Sequence, residues 1–399
     1  MTALRFVNAR IVRPDGAEPG ELHVRDGVIV DSPAPGALTI DCGGKTLAPG
    51  IVDLGVFAID REAFRAGGIV RVGLMPDQSP VLDGPGLVQR ASLIGKPLLW
   101  IHPIAAATKG LEGVDLAEMA IMQSAGAKAV STGRRWIADS GVMRKVLAYA
   151  RDLDLAVIAH AEDGGLTEGK VATEGETATR LGLPAAPAIA EALAIARDVA
   201  LAEETRARLH IRQVTTAAGF DLVRAAKRRG VRITCGITPA HLLLSDNAMS
   251  DFRTFAHLSP PLRDEGDRQA ALSAVRDGTV DVLCSGHDPR GPEEKRLPFA
   301  DAAEGASGAE TLLALSLSLE LPIDRLFALL AANPARVLGL DTGILRPGLP
   351  ADLVLLDETA PWQIKGDAMT ARAGNTPFDG LPAQGKVLRL WKGGAEILA

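Results

Sequence analysis

Polar side chains recur where short apolar runs of the sequence end, and their types limit the chemistry that the chain could perform. His160 follows the run 156–159, and His287 and Asp288 follow the run 280–283. A histidine at a strand end can bind a metal ion, and an adjacent histidine and carboxylate can transfer protons. The simpler alternative is that these groups only make hydrogen bonds that hold loops in place. The other runs end at Asp53, Asp77, Ser131, Thr132, Gln213, Thr238 and His241.

These polar positions need parallel strands to bring them together. Residues 51–339 alternate apolar runs with helical patterns in about eight β-then-α units, and this order is typical of a parallel sheet. We therefore predict a (β/α)8 barrel, with an open doubly wound sheet as the alternative. In a barrel the polar strand ends gather at the C-terminal face, where active sites form. The predicted strands are 51–57, 69–74, 98–101, 127–130, 156–159, 208–211, 231–234 and 280–283.

Both ends of the chain favour β-structure instead. Asp26-Gly27 lies between two β-prone segments, which predicts a hairpin. A second β-rich block covers residues 351–356 and 386–391. The predicted fold class is therefore α/β, with a barrel over residues 51–339 and a small discontinuous β-sandwich domain from residues 1–50 and 340–399.

Composition excludes several classes of partner. The 399 residues carry a net charge of −6, which argues against a nucleic-acid or anionic-membrane partner. No apolar run approaches the ~20 residues that span a bilayer, and the N-terminus lacks the apolar core of a signal peptide. The three cysteines, Cys42, Cys235 and Cys284, are scattered and indicate reduced thiols in a cytoplasmic protein.

Ordered motifs along nearly the whole chain resemble the dihydroorotase family of the amidohydrolase superfamily. Any one of them alone is weak evidence, but their order makes the resemblance specific. They are Leu47-Ala48-Pro49-Gly50-Ile51-Val52-Asp53, Leu74-Met75-Pro76-Asp77, Asp139-Ser140-Gly141-Val142-Met143-Arg144, His160-Ala161-Glu162-Asp163, Thr238-Pro239-Ala240-His241-Leu242, Ser259-Pro260-Pro261-Leu262-Arg263, Gly308-Ala309-Glu310-Thr311 and Asn375-Thr376-Pro377-Phe378.

The resemblance implies opening or closure of a six-membered cyclic amide by a metal-bound hydroxide, with an aspartate as proton shuttle. Of the implied metal ligands only His160 is retained, and Gly286 stands where the family has the catalytic aspartate. The lost ligand positions are Gly55, Phe57, Thr132 and Gln213. The positions implied to hold substrate are Ile59, Asp77 and Arg290, in place of arginine, asparagine and histidine.

These losses favour a non-catalytic dihydroorotase-like protein without a cofactor, acting as a structural or regulatory partner of aspartate carbamoyltransferase in pyrimidine synthesis. The resemblance also implies a homodimer.

One alternative is an active metal-dependent dihydroorotase or other cyclic amidase, with a rearranged or mononuclear zinc site around His160, His287 and Asp288. A small-molecule binding protein is the third reading. We expect Phe57 to fill the space of the lost ligands. The residual pocket is predicted from His160, Gln213, His287, Asp288 and Asp77.

Overall fold

The computed structural model describes residues 3–398, and eight parallel strands form its central sheet. The strands are short, buried and rich in Val, Ile and Ala, as expected where helices cover a parallel sheet. Each strand pairs with the next one in chain order. From first to eighth they are Ile51–Val56, Ile69–Leu74, Trp100–Ala106, Ala129–Ser131, Ala156–Ala159, Arg208–Ile211, Ile233–Ile237 and Val282–Leu283.

Hydrogen bonds just beyond the strand ends join the first barrel strand to the eighth. The backbone N–H of Phe57 donates to the carbonyl of His287 at 2.9 Å. The buried carboxylate of Asp53 accepts from the backbone N–H of Ser285 at 2.9 Å and from its hydroxyl. The sheet is thereby tied into a barrel, and Asp53 has the structural role of an acceptor below the cavity.

The long helices cover the outside of the barrel and bury apolar residues against it. Ser140–Asp152 begins at Asp139, whose carboxylate caps the backbone N–H of Val142, and it buries Met143, Val146, Leu147 and Ala150. The long helices are Ser140–Asp152, Ile189–Thr205, Ala217–Arg228 and Glu265–Asp277. The shorter ones are Arg61–Ala66, Pro85–Leu93, Met119–Ser124, Gly164–Thr167, Glu176–Leu181, Pro239–Leu243, Pro292–Lys295, Leu312–Leu317, Ile323–Phe327 and Asn333–Val337.

The two chain ends share a separate eight-stranded sheet. Residues Thr46–Pro49 pair with Leu353–Gln363, so the two ends of the chain are hydrogen-bonded to each other. Its core includes the Phe6 and Trp391 rings, in edge contact at 4.9 Å between centroids. The strands are Ala3–Arg13, Gly16–Arg25, Val28–Val30, Leu38–Asp41, Thr46–Pro49, Leu353–Gln363, Pro382–Lys392 and Ala395–Leu398.

The predicted fold class is confirmed: a barrel-like parallel sheet is accompanied by a sheet from both chain ends. The predicted hairpin at Asp26-Gly27 joins Gly16–Arg25 to Val28–Val30. The domain boundaries at residues 50 and 340 stay predictions. Residues 3–398 contain no helix long and apolar enough to cross a membrane. All three cysteines are buried and unpaired.

Candidate active site at the barrel mouth

A cavity opens where the barrel strands end. Its empty space is about 580 Å³ out to its open mouth. Ligand sites of small molecules are concave and mostly apolar, with a few polar groups that set orientation. The polar side chains that line this cavity include Arg134, Arg212, Gln213, Thr238, His241, Ser285 and Asp288.

Phe57 forms one wall of the cavity, in the place where the resemblance implies a metal ligand. Its side chain is 7% exposed and belongs to the core cluster inside the barrel. Two guanidinium groups lie over its ring: the central carbon of Arg134 is 3.7 Å from the ring centroid, and that of Arg212 is 5.1 Å away. Cations over an aromatic face are attracted by its negative quadrupole. Two arginine side chains therefore lie against the ring of Phe57 at the mouth of the barrel.

Arg212 directly follows the sixth strand. Its backbone N–H donates to the carbonyl of Ala159, at the end of the fifth strand, so the pairing of the two strands extends to this residue. The residue is 4% exposed, and its guanidinium donates to Gln213 Oε1 at 3.1 Å and to His160 Nδ1 at 3.0 Å. The Nε atom has no partner among the described residues. Burial, and then the nearby charge of Arg134, lower the pKa of Arg212 below its ordinary value.

His160 lies behind Arg212 rather than on the cavity wall. A guanidinium can only donate, so Nδ1 of His160 accepts and its proton belongs on Nε2. That nitrogen faces Glu162 Oε2 at 3.4 Å, and Glu162 in turn accepts from Arg263 at 2.8 Å. Although burial raises the pKa of Glu162, His160 and Arg263 lower it to about 2. Glu162 is therefore ionised at neutral pH, and both nitrogens of His160 have partners.

Asp288 supplies the cavity with a carboxylate that is firmly held. Its Oδ2 accepts from Arg134 at 2.5 Å and from Arg290 at 2.9 Å. Arg134 also bonds Glu304 at 3.1 Å, and its backbone N–H donates to Asp77. The charge of Arg134 is thus already balanced within the protein, in contrast to that of Arg212.

Thr238 and His241 form a hydroxyl–imidazole pair in the lining of the cavity. Thr238 Oγ1 is 2.7 Å from His241 Nδ1, and His241 Nε2 is 2.9 Å from the carbonyl of Pro260. Because a carbonyl only accepts, the proton is on Nε2 and the Thr238 hydroxyl donates to Nδ1. Burial lowers the pKa of His241 to about 4, so this imidazole is neutral at pH 7.

His287 points away from the cavity. It is fully buried, its ring meets the edge of Phe64, and its Nδ1 accepts from the backbone N–H of Ala309. Its Nε2 is 3.6 Å from Asp60 Oδ2. His287 and Asp288 are neighbours in sequence, but only Asp288 lines the cavity.

The residues at the implied ligand positions do not fit a metal ion. Gly55 has φ +94°, a conformation that disfavours the histidine of the family, although a Cβ atom there would make only ordinary contacts at 3.9 Å. A Cβ atom on Gly286 would approach Thr238 Cγ2 to 3.0 Å, so a side chain there would crowd the threonine. Thr132 accepts from the backbone N–H of His160 at 3.0 Å. No group of three or more His, Cys, Asp or Glu that could hold a metal is found in residues 3–398.

Of the residues predicted for the pocket, Gln213 and Asp288 line the cavity. His160 is behind Arg212, and Asp77 accepts from the backbone of Arg134. The sequence reasoning missed the two arginines on Phe57. The available signal was a charged residue, Arg212, directly after the apolar run that ends at Ile211.

Residues 44–218 match the family described as Dihydro-orotase-like. A protein of Desulforapulum autotrophicum named Dihydroorotase is 37% identical, with 96% of each chain covered. The Dihydroorotase of Pelobacter propionicus is 36% identical, again over 96% of each chain. That of Citrifermentans bemidjiense is 34% identical over 96% of this chain and 97% of the relative.

Solved structures show the same fold. The L-hydantoinase (dihydropyrimidinase) of Arthrobacter aurescens superposes with a TM-score of 0.88 at 23% identity, covering 100% of this chain and 96% of that one. The dihydropyrimidinase of Brevibacillus agri NCHU1002 gives a TM-score of 0.84 at 19% identity, over 100% and 95% of the two chains. At these identities the likeness concerns the fold alone.

The full-length relatives correct two expectations from the sequence. Because proteins 37% and 36% identical over almost the whole chain are named Dihydroorotase, the interpretation as a non-catalytic protein is wrong. The expectation of no cofactor is wrong as well, since these full-length relatives carry the name of an activity that, by the resemblance, uses a metal. Association with aspartate carbamoyltransferase and the homodimer stay predictions. The chain belongs to the dihydroorotase family.

Proposed function

We propose that the chain is a hydrolase that opens or closes a cyclic amide of the dihydroorotate type in the barrel-mouth cavity. The observation that carries this proposal is identity of 37% to a protein named Dihydroorotase over 96% of both chains. The cavity supports it, because it lies at the C-terminal strand ends, where barrel enzymes hold their substrates.

The family's metal, when bound, would activate water and polarise the amide carbonyl. Because the residues at the implied ligand positions do not fit that ion, we derive no step through it. The chain's own groups can bind and orient the ring. Arg212 and Gln213 supply donors, and the ring of Phe57 adds an apolar wall that the ligand can contact. Asp288, fixed by two arginines, supplies an acceptor for a ring N–H.

Ring opening by the purified full-length chain tests the proposal. Dihydroorotate is incubated with protein, with and without added Zn²⁺, and N-carbamoyl-aspartate is measured by chromatography. We expect turnover that depends on protein concentration and is lost in Asp288→Asn. Turnover no faster than the protein-free reaction in both metal conditions contradicts the proposal.

A further inference from the structure

We propose that Arg212 is the residue that binds the acidic group of the ligand, and that it thereby selects carboxylated rings over neutral ones. The chemistry of the ligand follows from the geometry of the arginine. The identity of the ring as a cyclic amide rests on the proposed function.

The charge of Arg212 lacks a counter-ion inside the protein. Arg71 and Arg263 are equally buried, at 4% exposure, and each has a carboxylate: Asp352 at 2.7 Å and Glu162 at 2.8 Å. Among residues 3–398, no carboxylate oxygen comes within 4.0 Å of Arg212, whose named partners are neutral side chains. A buried charge is strongly unfavourable unless it is paired. The missing partner of Arg212 is therefore an anion that enters from outside.

The cavity gives such an anion access to the guanidinium. Arg212 lines the cavity, and its Nε atom is buried without a hydrogen-bond partner. A guanidinium offers donors in a planar fork that matches the two oxygens of a carboxylate. Gln213 lines the same cavity, and its amide N–H groups can donate to the same anion. An arriving carboxylate would complete the hydrogen bonding that the protein leaves open.

The neighbouring charges do not supply the missing anion. Asp288 and Glu304 are held by Arg134, and Asp288 is held by Arg290 as well. Asp77 is the remaining nearby carboxylate. Its charge acts on Arg212 from beyond 4.0 Å; its Oδ1 accepts from the backbone N–H of Arg134, and its Oδ2 has no hydrogen-bond partner among the described residues.

Arg212 also replaces the substrate-holding side chains that are absent at other positions. The resemblance implies an arginine and an asparagine for holding substrate, and these positions are Ile59 and Asp77 here. Neither an apolar side chain nor a carboxylate attracts an acidic ligand. The chain therefore has a guanidinium from the sixth strand in place of one from the first.

A pair of ligands that differ in one carboxylate tests the inference. Binding of dihydroorotate and of 5,6-dihydrouracil is measured by calorimetry on the full-length wild type, Arg212→Met and Arg212→Lys. We expect dihydroorotate to bind the wild type about tenfold or more tightly than dihydrouracil, as a charge-assisted pair implies. Arg212→Met should lose this preference, and Arg212→Lys should keep part of it. Arg144→Met, at an exposed arginine, is the control and should bind as the wild type does.

Folding of the variants is checked by thermal unfolding without ligand. Arg212→Met removes a buried unpaired charge, so its melting temperature should equal or exceed that of the wild type. Equal binding of both ligands by the wild type, or a full carboxylate preference in folded Arg212→Met, overturns the inference. The binding measurements do not depend on turnover. Ring opening without a preference for the carboxylated ligand supports the proposed function alone. Carboxylate-selective binding without ring opening supports the role of Arg212 alone.

Discussion

Gly55 shows at the scale of one residue how the start of the site differs from the pattern that the family implies. It lies in the first barrel strand with φ +94°, at a shift in register between Leu54 and Val56. Side chains with a Cβ atom are strained in this conformation. The backbone itself therefore disfavours a histidine here, independently of whether space is available.

Replacing Gly55 by alanine isolates this backbone effect, since a Cβ atom there would make only ordinary contacts at 3.9 Å. We expect Gly55→Ala to lower the free energy of unfolding by about 1–3 kcal/mol because of the strained φ. Urea denaturation of the wild type and the variant measures this change in free energy, provided that the m-value is the same for both proteins. Gly164→Ala is the matched control, because that glycine meets nothing within 4 Å and lacks a positive φ. An equal effect of both substitutions contradicts the backbone argument.

The sequence identified Gln213 and Asp288 as cavity residues but not Arg134 or Arg212. Strand ends can be predicted from apolar runs, and short polar side chains stay near those ends. An arginine side chain is long, and whether it bends into the cavity or toward solvent depends on the groups that it meets. For Arg212 those groups are Phe57 and His160, which the chain brings near only after folding.

At the scale of elements, Glu191 connects two long helices. It lies in Ile189–Thr205, is fully buried, and accepts hydrogen bonds from the backbone and hydroxyl of both Thr215 and Thr216. Thr216 in turn caps the helix Ala217–Arg228. This carboxylate therefore fixes the loop that follows Gln213 at the cavity.

Glu191→Gln should destabilise the protein, because an amide cannot accept at both ends. We expect a loss of about 1–3 kcal/mol in the free energy of unfolding, the cost of leaving buried donors unpaired. Urea denaturation followed by circular dichroism gives the value. Glu204→Gln in the same helix is the control, since its side chain is 53% exposed, and it should change little. A smaller effect at position 191 than at 204 would refute the proposed connection.

Several elements begin or end away from their predicted limits. The third strand is Trp100–Ala106 rather than 98–101, because Ile104 to Ala106 pair with the fourth strand. The eighth strand is only Val282–Leu283, since the backbone N–H of Val280 bonds to Ala274 of the preceding helix. Pairing partners and helix ends thus decide these limits, and neither is encoded in the local apolar pattern.

For the whole molecule, Asp352 links the terminal sheet to the barrel. Its carboxylate accepts from Arg71 of the second barrel strand at 2.7 Å and from Lys392 at 2.8 Å. Its carbonyl accepts from the backbone N–H of Gly50 at 2.9 Å. Although burial raises the pKa of Asp352, the charges of Arg71 and Lys392 lower it below its ordinary value.

Folding lowers this pKa below the value of 3.8 that an unperturbed aspartate has. The ionised carboxylate therefore stabilises the folded protein at pH values above 3.8, and this stabilisation disappears as the pH falls through the lowered pKa of the folded state. Asp352→Asn should cost about 3–5 kcal/mol at pH 7, since it leaves two buried cations without a partner. It should also flatten the fall in melting temperature below pH 4. Calorimetry between pH 3 and pH 8 measures both, and an unchanged pH profile contradicts this role.

The sharing of one sheet by the two chain ends was predictable from their β-rich sequences, but its register was not. Leu353 pairs with Pro49, 304 positions earlier in the chain, and Asp352 meets Arg71 as a result. A pairing over this distance depends on how the barrel brings the ends together.

The role of Arg212 in turnover is measured as kcat/KM for the opening of dihydroorotate by the full-length wild type and by Arg212→Met. We expect measurable turnover by the wild type. We expect kcat/KM of the variant to fall about tenfold or more, mainly through KM, because a charge-assisted contact to the substrate is lost. Absence of turnover by the wild type, or equal kcat/KM in the two proteins, would contradict these expectations.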